Sequence, residues 1–285
     1  MSSNSSFVAA ASHAPGMNAP GAETEGLKFR GALQELAAAV REYDPELVVC
    51  FGSDHRRAFR EIIPTFSTIW NADSLGDFGS PTGDFSVDET AARALTEQLI
   101  ARNFDIAVAY GVTLDHGFTQ TLQQLFGDLN SVPMIPVFIN CATEPIATVA
   151  RTIAFGEAIG EVLRGLNRRV LYVASGGLSH TPPTLDATTR APSDEYRAEL
   201  FNRFLEESMT KIIPDWDEQA LAAFEGQSDV AELFSDEFLK AGGTGAPEVL
   251  NWIAAWAAAG RAPLKTLAYE PVIPWSTGLG VMHTA

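Results

Sequence analysis

The chain has 285 residues and carries 36 acidic against 19 basic side chains, a formal net charge of −17, which repels phosphate backbones and anionic lipid at long range and so counts against nucleic acid and membrane as partners. Hydrophobic residues make up 46% of the chain and are spread evenly, which excludes a largely disordered protein and leaves enough apolar material for a large core. No apolar run approaches the roughly 20 residues of a bilayer span, and the N-terminal "MSSNSSFVAAASHAPG" lacks the basic region of a secretory signal. The expected compartment is the cytoplasm. Cys50 and Cys141, each in a strand-like apolar run, are expected as buried thiols rather than a disulfide.

In chain order, strand-length apolar runs occur at 7–11, 47–52, 105–110, 134–139 and 170–175. Their continuous hydrophobicity suits strands covered on both faces. Helical spacing fills the intervals at 27–43, 88–103 and 148–166. This alternation predicts an α/β fold, with a mostly parallel or mixed sheet flanked by helices on both faces. The glycine- and aspartate-rich stretch 71–86, "NADSLGDFGSPTGDFS", is the longest irregular segment and, as a long loop, a candidate for function. Beyond residue 181 the pattern turns helical and acidic at 194–211, 217–225, 228–240 and 246–260, and 266–273 reads as a strand returning to the sheet edge. The whole chain, 1–285, is expected as one catalytic domain, with a core over 1–181 and a helical part over 182–262.

Four of the five histidines follow strand-like runs: "FVAAASH" ends in His13, "LVVCFGSDH" in His55, "IAVAYGVTLDH" in His116 and "VLYVASGGLSH" in His180. A lone histidine in such a place is commonly a satisfied core or surface residue. Four of them after parallel strands would converge at one sheet edge, beyond the strand C-termini where ligands of open α/β sheets gather. Gly176 and Gly177 would allow the tight turn that delivers His180. His283, close to the C-terminus, is expected to be solvated and has no assigned role.

Imidazole binds divalent transition metals and moves protons near neutral pH. Two histidines and one carboxylate make the facial set of non-haem Fe(II) oxygen chemistry. Asp54, Asp115 and Glu248 are the candidate carboxylates. Glu248 leads the almost wholly apolar helix "PEVLNWIAAWAAAG", and a carboxylate buried there needs a cation. Asp54 and Asp115 are better suited to orienting an imidazole or capping a helix.

The segments "SHAPG", "PELVVCFGSDH", "GDFGSPTGDF", "LDHGFTQTL", "IPVFIN", "GEAIG", "GGLSHTPP" and "EVLNWIAAWAA" run in order along nearly the whole chain. As an ordered set they resemble the class III extradiol ring-cleaving dioxygenases, within them the 2,3-dihydroxyphenylpropionate 1,2-dioxygenases. The resemblance implies Fe(II) held by His13, His55 and Glu248, with His116 and His180 as a proton-transfer pair and Asp115 supporting His116. It further implies a catechol and O2 as substrates, and a homo-oligomer. The "RRAF" after His55 departs from these relatives. Arg56 and Arg57, with Pro182 of "SHTPP", are the candidates for binding the substrate, the arginines through a carboxylate on the ring.

Two other readings use the same residues. A His/His/Glu set also holds catalytic zinc in hydrolases, although "HExxH" is absent. A metal-free relative could bind partners through the pocket, although every expected ligand position is filled. "SGGLS" does not fit the "GxSxG" of a serine hydrolase.

Overall fold

The computed structural model describes residues 6–182 and 193–284. Its first half alternates strand and helix: β1 (Phe7–Ala11), α1 (Leu27–Tyr43), β2 (Leu47–Gly52), β3 (Phe66–Ile69), β4 (Ala72–Ser74), β5 (Gly83–Asp84), α2 (Glu89–Ala101), β6 (Ala107–Ala109), β7 (Val112–Leu114) and α3 (His116–Phe126). It continues through β8 (Met134–Ile139), α4 (Val149–Arg164) and β9 (Val170–Ser175). The helices α5 (Asp194–Met209), α6 (Pro214–Phe224), α7 (Val230–Leu233), α8 (Asp236–Ala241) and α9 (Val249–Ala258) follow, and the chain ends in β10 (Leu264–Val272) and β11 (Thr277–Thr284).

Eight strands form one mixed sheet in the order β10-β11-β1-β9-β2-β8-β3-β6. Its centre, β1-β9-β2-β8, is parallel, so the C-terminal ends of these strands open on one edge. The pleat sorts each strand between two cores. Leu47, Val49, Phe51, Tyr172 and Ala174 face α2, α4, α6 and α9, while Val48, Cys50, Leu171 and Val173 face α1 and α3. Both cysteines are buried thiols. Among the described residues, no helix is long and apolar enough to cross a membrane.

Two helices pack so closely that only glycine fits between them. A Cβ at Gly156 or Gly160 of α4 would run into the carbonyl oxygens of Ala254 and Ala258 on α9. That close approach, together with the packing of α9 on β9, sets the start of α9, and with it Glu248, beside the open edge of the sheet.

Several sequence expectations need correcting. The run 105–110 is a strand only at Ala107–Ala109, on the sheet edge, and a second strand, Val112–Leu114, joins a separate three-stranded sheet, β5-β4-β7. The stretch 71–86 contributes β4 and β5 to that small sheet and is therefore not wholly irregular. Strand 266–273 does return to the sheet edge, but as half of a hairpin whose second strand carries His283. That histidine is half-buried and stacks on Phe7 at 5.6 Å between ring centroids, because β11 pairs with β1.

Candidate active site

Three of the histidines arrive as the strand pattern anticipates. His13 lies two residues past β1, His55 three past β2 and His180 five past β9. His116 does not come from a strand of the main sheet; it is the first residue of α3, fed by β7 of the small sheet. All four nevertheless meet. The His13 ring stands nearly perpendicular to those of His55 and His116, each at 5.3 Å, and His116 stacks on His55 at 4.3 Å with 10° between the planes. Donor atoms of His13, His55 and His116 lie within 4.8 Å of one another, an arrangement compatible with a metal ion.

Each imidazole is held through Nδ1 by a different partner. Ser175 Oγ lies 3.0 Å from His13 Nδ1 and is itself bridged to Thr121. Asp115 Oδ2 takes Nδ1 of His55 at 3.1 Å, Asp77 Oδ2 takes that of His116 at 2.8 Å, and the Leu178 carbonyl takes that of His180 at 2.8 Å. Carboxylates and carbonyls only accept, so Nδ1 of the last three carries the proton and Nε2 is left to bind a ligand or proton. The Nε2 atoms of His55, His13 and His180 stand 2.9, 3.6 and 3.8 Å from the Glu248 carboxylate.

Glu248 is fully buried. It ends the 3-10 turn Ala246–Glu248 that leads into α9, and its remaining contacts come from Ser53 Oγ at 3.0 Å and the Gly177 N–H at 2.7 Å. Glycines make room for it. Gly176 has φ 152°, and a Cβ there would press on the Glu248 backbone and side chain; one at Gly245 would strike His180 Nε2.

Burial would raise the Glu248 carboxyl, but the neighbouring His13 and His55 hold it well below its ordinary range. Burial likewise disfavours charge on His55, yet the Asp115 and Glu248 carboxylates outweigh it and push this imidazole well up. Burial prevails at His13, pushed down to about 3, and lowers His180. The site thus keeps two imidazoles neutral and pairs a third with buried negative charge, a donor set that suits a divalent cation.

The imidazoles floor a cavity of about 600 Å³, within the usual size range of small-molecule sites. Phe78, Pro182, Phe201, Leu205 and Trp275 supply apolar wall, and Arg57 and Arg197 are its arginines among the described residues.

Residues 8–280 match the family described as the catalytic LigB subunit of aromatic ring-opening dioxygenase. The chain belongs to this family. A 2,3-dihydroxyphenylpropionate/2,3-dihydroxicinnamic acid 1,2-dioxygenase of Dechloromonas aromatica is 35% identical, with 96% of this chain and 97% of that protein aligned. Its namesake in Rhodococcus jostii is 31% identical over 95% of each chain. The crystal structure of an uncharacterized Escherichia coli K12 protein shares the fold, with a TM-score of 0.54 and 18% identity over 98% of this chain and 99% of that one.

Within this dioxygenase, two expected roles fall elsewhere. Asp115, expected to support His116, caps α3 by accepting the Gly117 N–H at 2.9 Å, which turns its other oxygen to the ring and backbone N–H of His55. The carboxylate on His116 is Asp77, which also accepts that residue's N–H at 2.8 Å. Arg56 and Arg57 separate at a bend. Asp54 gathers the N–H groups of Arg57, Ala58 and Phe59, and this turns Arg57 to the cavity. Arg56, at φ 61°, reaches instead to Thr143 Oγ1 at 3.1 Å and does not line the cavity. Asp77 and Arg197 were missed by the sequence reading. The glycine-rich loop around Asp77 was a usable signal; for Arg197, 142 positions from the His55 carbonyl that it contacts, there was none.

Proposed function

We propose that this dioxygenase uses Fe(II) bound by His13, His55 and Glu248 to cleave a catechol bearing an acidic side chain next to its hydroxyls, an extradiol opening to a 2-hydroxymuconic semialdehyde-type product. The observation that carries the ligand set is the convergence of His13 and His55 Nε2 on one wholly buried carboxylate. The stacking of His116 on His55 supports leaving His116 outside the set. Imidazole lone pairs lie in the ring plane, and two nearly parallel planes 4.3 Å apart at their centroids do not meet at one ion. When bound, ferrous iron would acidify the catechol hydroxyls and pass electrons between ring and dioxygen.

The chain's own groups do the remainder. His180, neutral and with Nδ1–H tied to Leu178, presents Nε2 to a substrate hydroxyl and can take its proton. His116 is backed by the Asp77 carboxylate, which steadies the imidazolium that forms when its own Nε2 takes a proton. One of the pair removes a proton before ring opening and one returns a proton to the departing oxygen; the two roles are assigned to the pair jointly. Asp115 orients His55. Phe78, whose ring stands nearly perpendicular to that of His116 with centroids 4.8 Å apart, and Pro182 shield the protons in transit from water. Arg57 faces the acidic side chain of the substrate, a reading supported by the relatives' names, which contain the acids 2,3-dihydroxyphenylpropionate and 2,3-dihydroxicinnamic acid.

The reading further holds the chain to be one catalytic domain over 1–285, with 182–262 supplying the metal carboxylate, working in the cytoplasm as a homo-oligomer. Its test is anaerobic loading with Fe(II), followed by 2,3-dihydroxyphenylpropionate and air. A yellow ring-opened product that forms with iron and not with zinc is the expected result; zinc-dependent ester or amide hydrolysis, or no metal retention, would overturn it.

A further inference from the structure

One wall of the cavity is a helix that the catalytic roles leave unused. Arg197, Ala198, Phe201, Asn202 and Leu205 of α5 all line it, and their spacing of one, three, one and three residues places them on a single helical face. Arg197 sits in the first turn of this face. Its Nη1 donates to the carbonyl of His55 at 2.9 Å, so the guanidinium lies directly above the segment that carries both His55 and Arg57.

The charge placement is selective. In a chain of net charge −17, a cavity over a buried anionic site would be expected to draw cations, yet it is lined by two arginines. Its acidic lining residue among the described residues is Glu25, which accepts the Trp275 indole N–H at 2.6 Å. Arg197 presents a planar guanidinium to this cavity, and a planar fork suits a two-oxygen anion better than a point-like ammonium would.

We infer that Arg197 is a specificity-determining residue that, together with Arg57, recognises a carboxylate on the ring substituent. The inference rests on the proposed reading of the site as one for catechols. It assigns substrate choice to α5 as well as to the turn after His55, and gives the carboxylate two cations approaching from different elements.

The test compares iron-loaded wild type with Arg197→Met and Arg197→Lys, taking the ratio of kcat/KM for 2,3-dihydroxyphenylpropionate to that for 3-methylcatechol. Loss of a charge-assisted contact to the carboxylate should lower the ratio by about tenfold or more in Arg197→Met, with Arg197→Lys in between. An equal loss on both substrates would make Arg197 a structural brace and overturn the inference, as would an unchanged ratio. Calorimetry on metal-free protein with 3-phenylpropionate, which has the acid but neither hydroxyl, supplies a readout independent of turnover. Weaker binding by Arg197→Met is expected, and equal binding by wild type and variant counts against the proposal. Failure of the wild type to open any catechol would sink the underlying reading instead, and is distinguishable because the calorimetric comparison still reports on Arg197.

Discussion

The two halves of the site are built differently. The floor, with His13, His55, His180 and Glu248, hangs from the C-terminal ends of parallel strands and the start of a buried helix, and its partners are backbone groups or buried side chains. The walls, with Phe78, Arg57 and Arg197, come from a 3-10 turn, a bend and the partly exposed helix α5. A floor set by sheet register holds reacting atoms in place, whereas walls made of loops and a half-exposed helix can change substrate without disturbing it.

The largest expected effect breaks the floor. Glu248→Ala removes the carboxylate on which two imidazoles converge, and bound iron, measured by metal analysis, should be lost together with activity by about three orders of magnitude or more. Retained iron with modest loss would overturn the ligand set of His13, His55 and Glu248. Next comes the joint between the halves. Asp77→Asn keeps the shape of the His116 contact but removes its charge, and kcat should fall by about a hundredfold with iron content unchanged. The same substitution at Asp115 should instead weaken iron binding, since Asp115 orients His55.

The third prediction concerns the strut beneath His180. Asp217 is buried; it accepts the N–H and the hydroxyl of Ser179 at 2.6 and 2.9 Å and the Tyr269 hydroxyl at 2.7 Å. Burial pushes its carboxyl up to about 6. An unfolded aspartate loses its proton near 4, so between these values the folded chain binds more protons than the unfolded one, and stability falls as pH rises through that window. The loss attributable to this group is about 3 kcal/mol. Denaturation midpoints of Asp217→Asn measured from pH 4 to 7 should show a flatter slope than wild type; an identical slope would mean that other groups carry it.

Legibility in the sequence follows the same division. Continuous apolar runs announced the parallel strands, and the residues just past them announced His13, His55 and His180. An acid leading an apolar helix announced Glu248, because burial of such a charge demands company. Helix α1 was legible to its ends at 27–43, since its apolar face repeats without interruption. The strand Phe66–Ile69 was missed because "FSTI" is short and half polar, and β11 because "TGLGVMHT" carries glycines that strand propensity disfavours. Asp77 stands in a glycine-rich loop that marked the region but not its partner His116, 39 residues away, and the Arg197 contact with His55 spans 142 residues, which no local pattern encodes.

The smallest effect separates two neighbours that the sequence could not tell apart. Arg57 lines the cavity and Arg56 does not, a consequence of the Asp54-held bend and of the Arg56 contact with Thr143. Arg57→Met should therefore lower the preference for 2,3-dihydroxyphenylpropionate over 3-methylcatechol by about tenfold, the equivalent of 1.4 kcal/mol, while Arg56→Met leaves that ratio unchanged. Equal shifts in both variants would mean that the bend does not sort the two side chains, and the substituent would then be read by the general positive potential of the segment after His55. A shift in Arg57→Met that does not add to that of Arg197→Met in the double variant would show that the two guanidinium groups grip the same carboxylate, since groups sharing a partner couple and independent ones add.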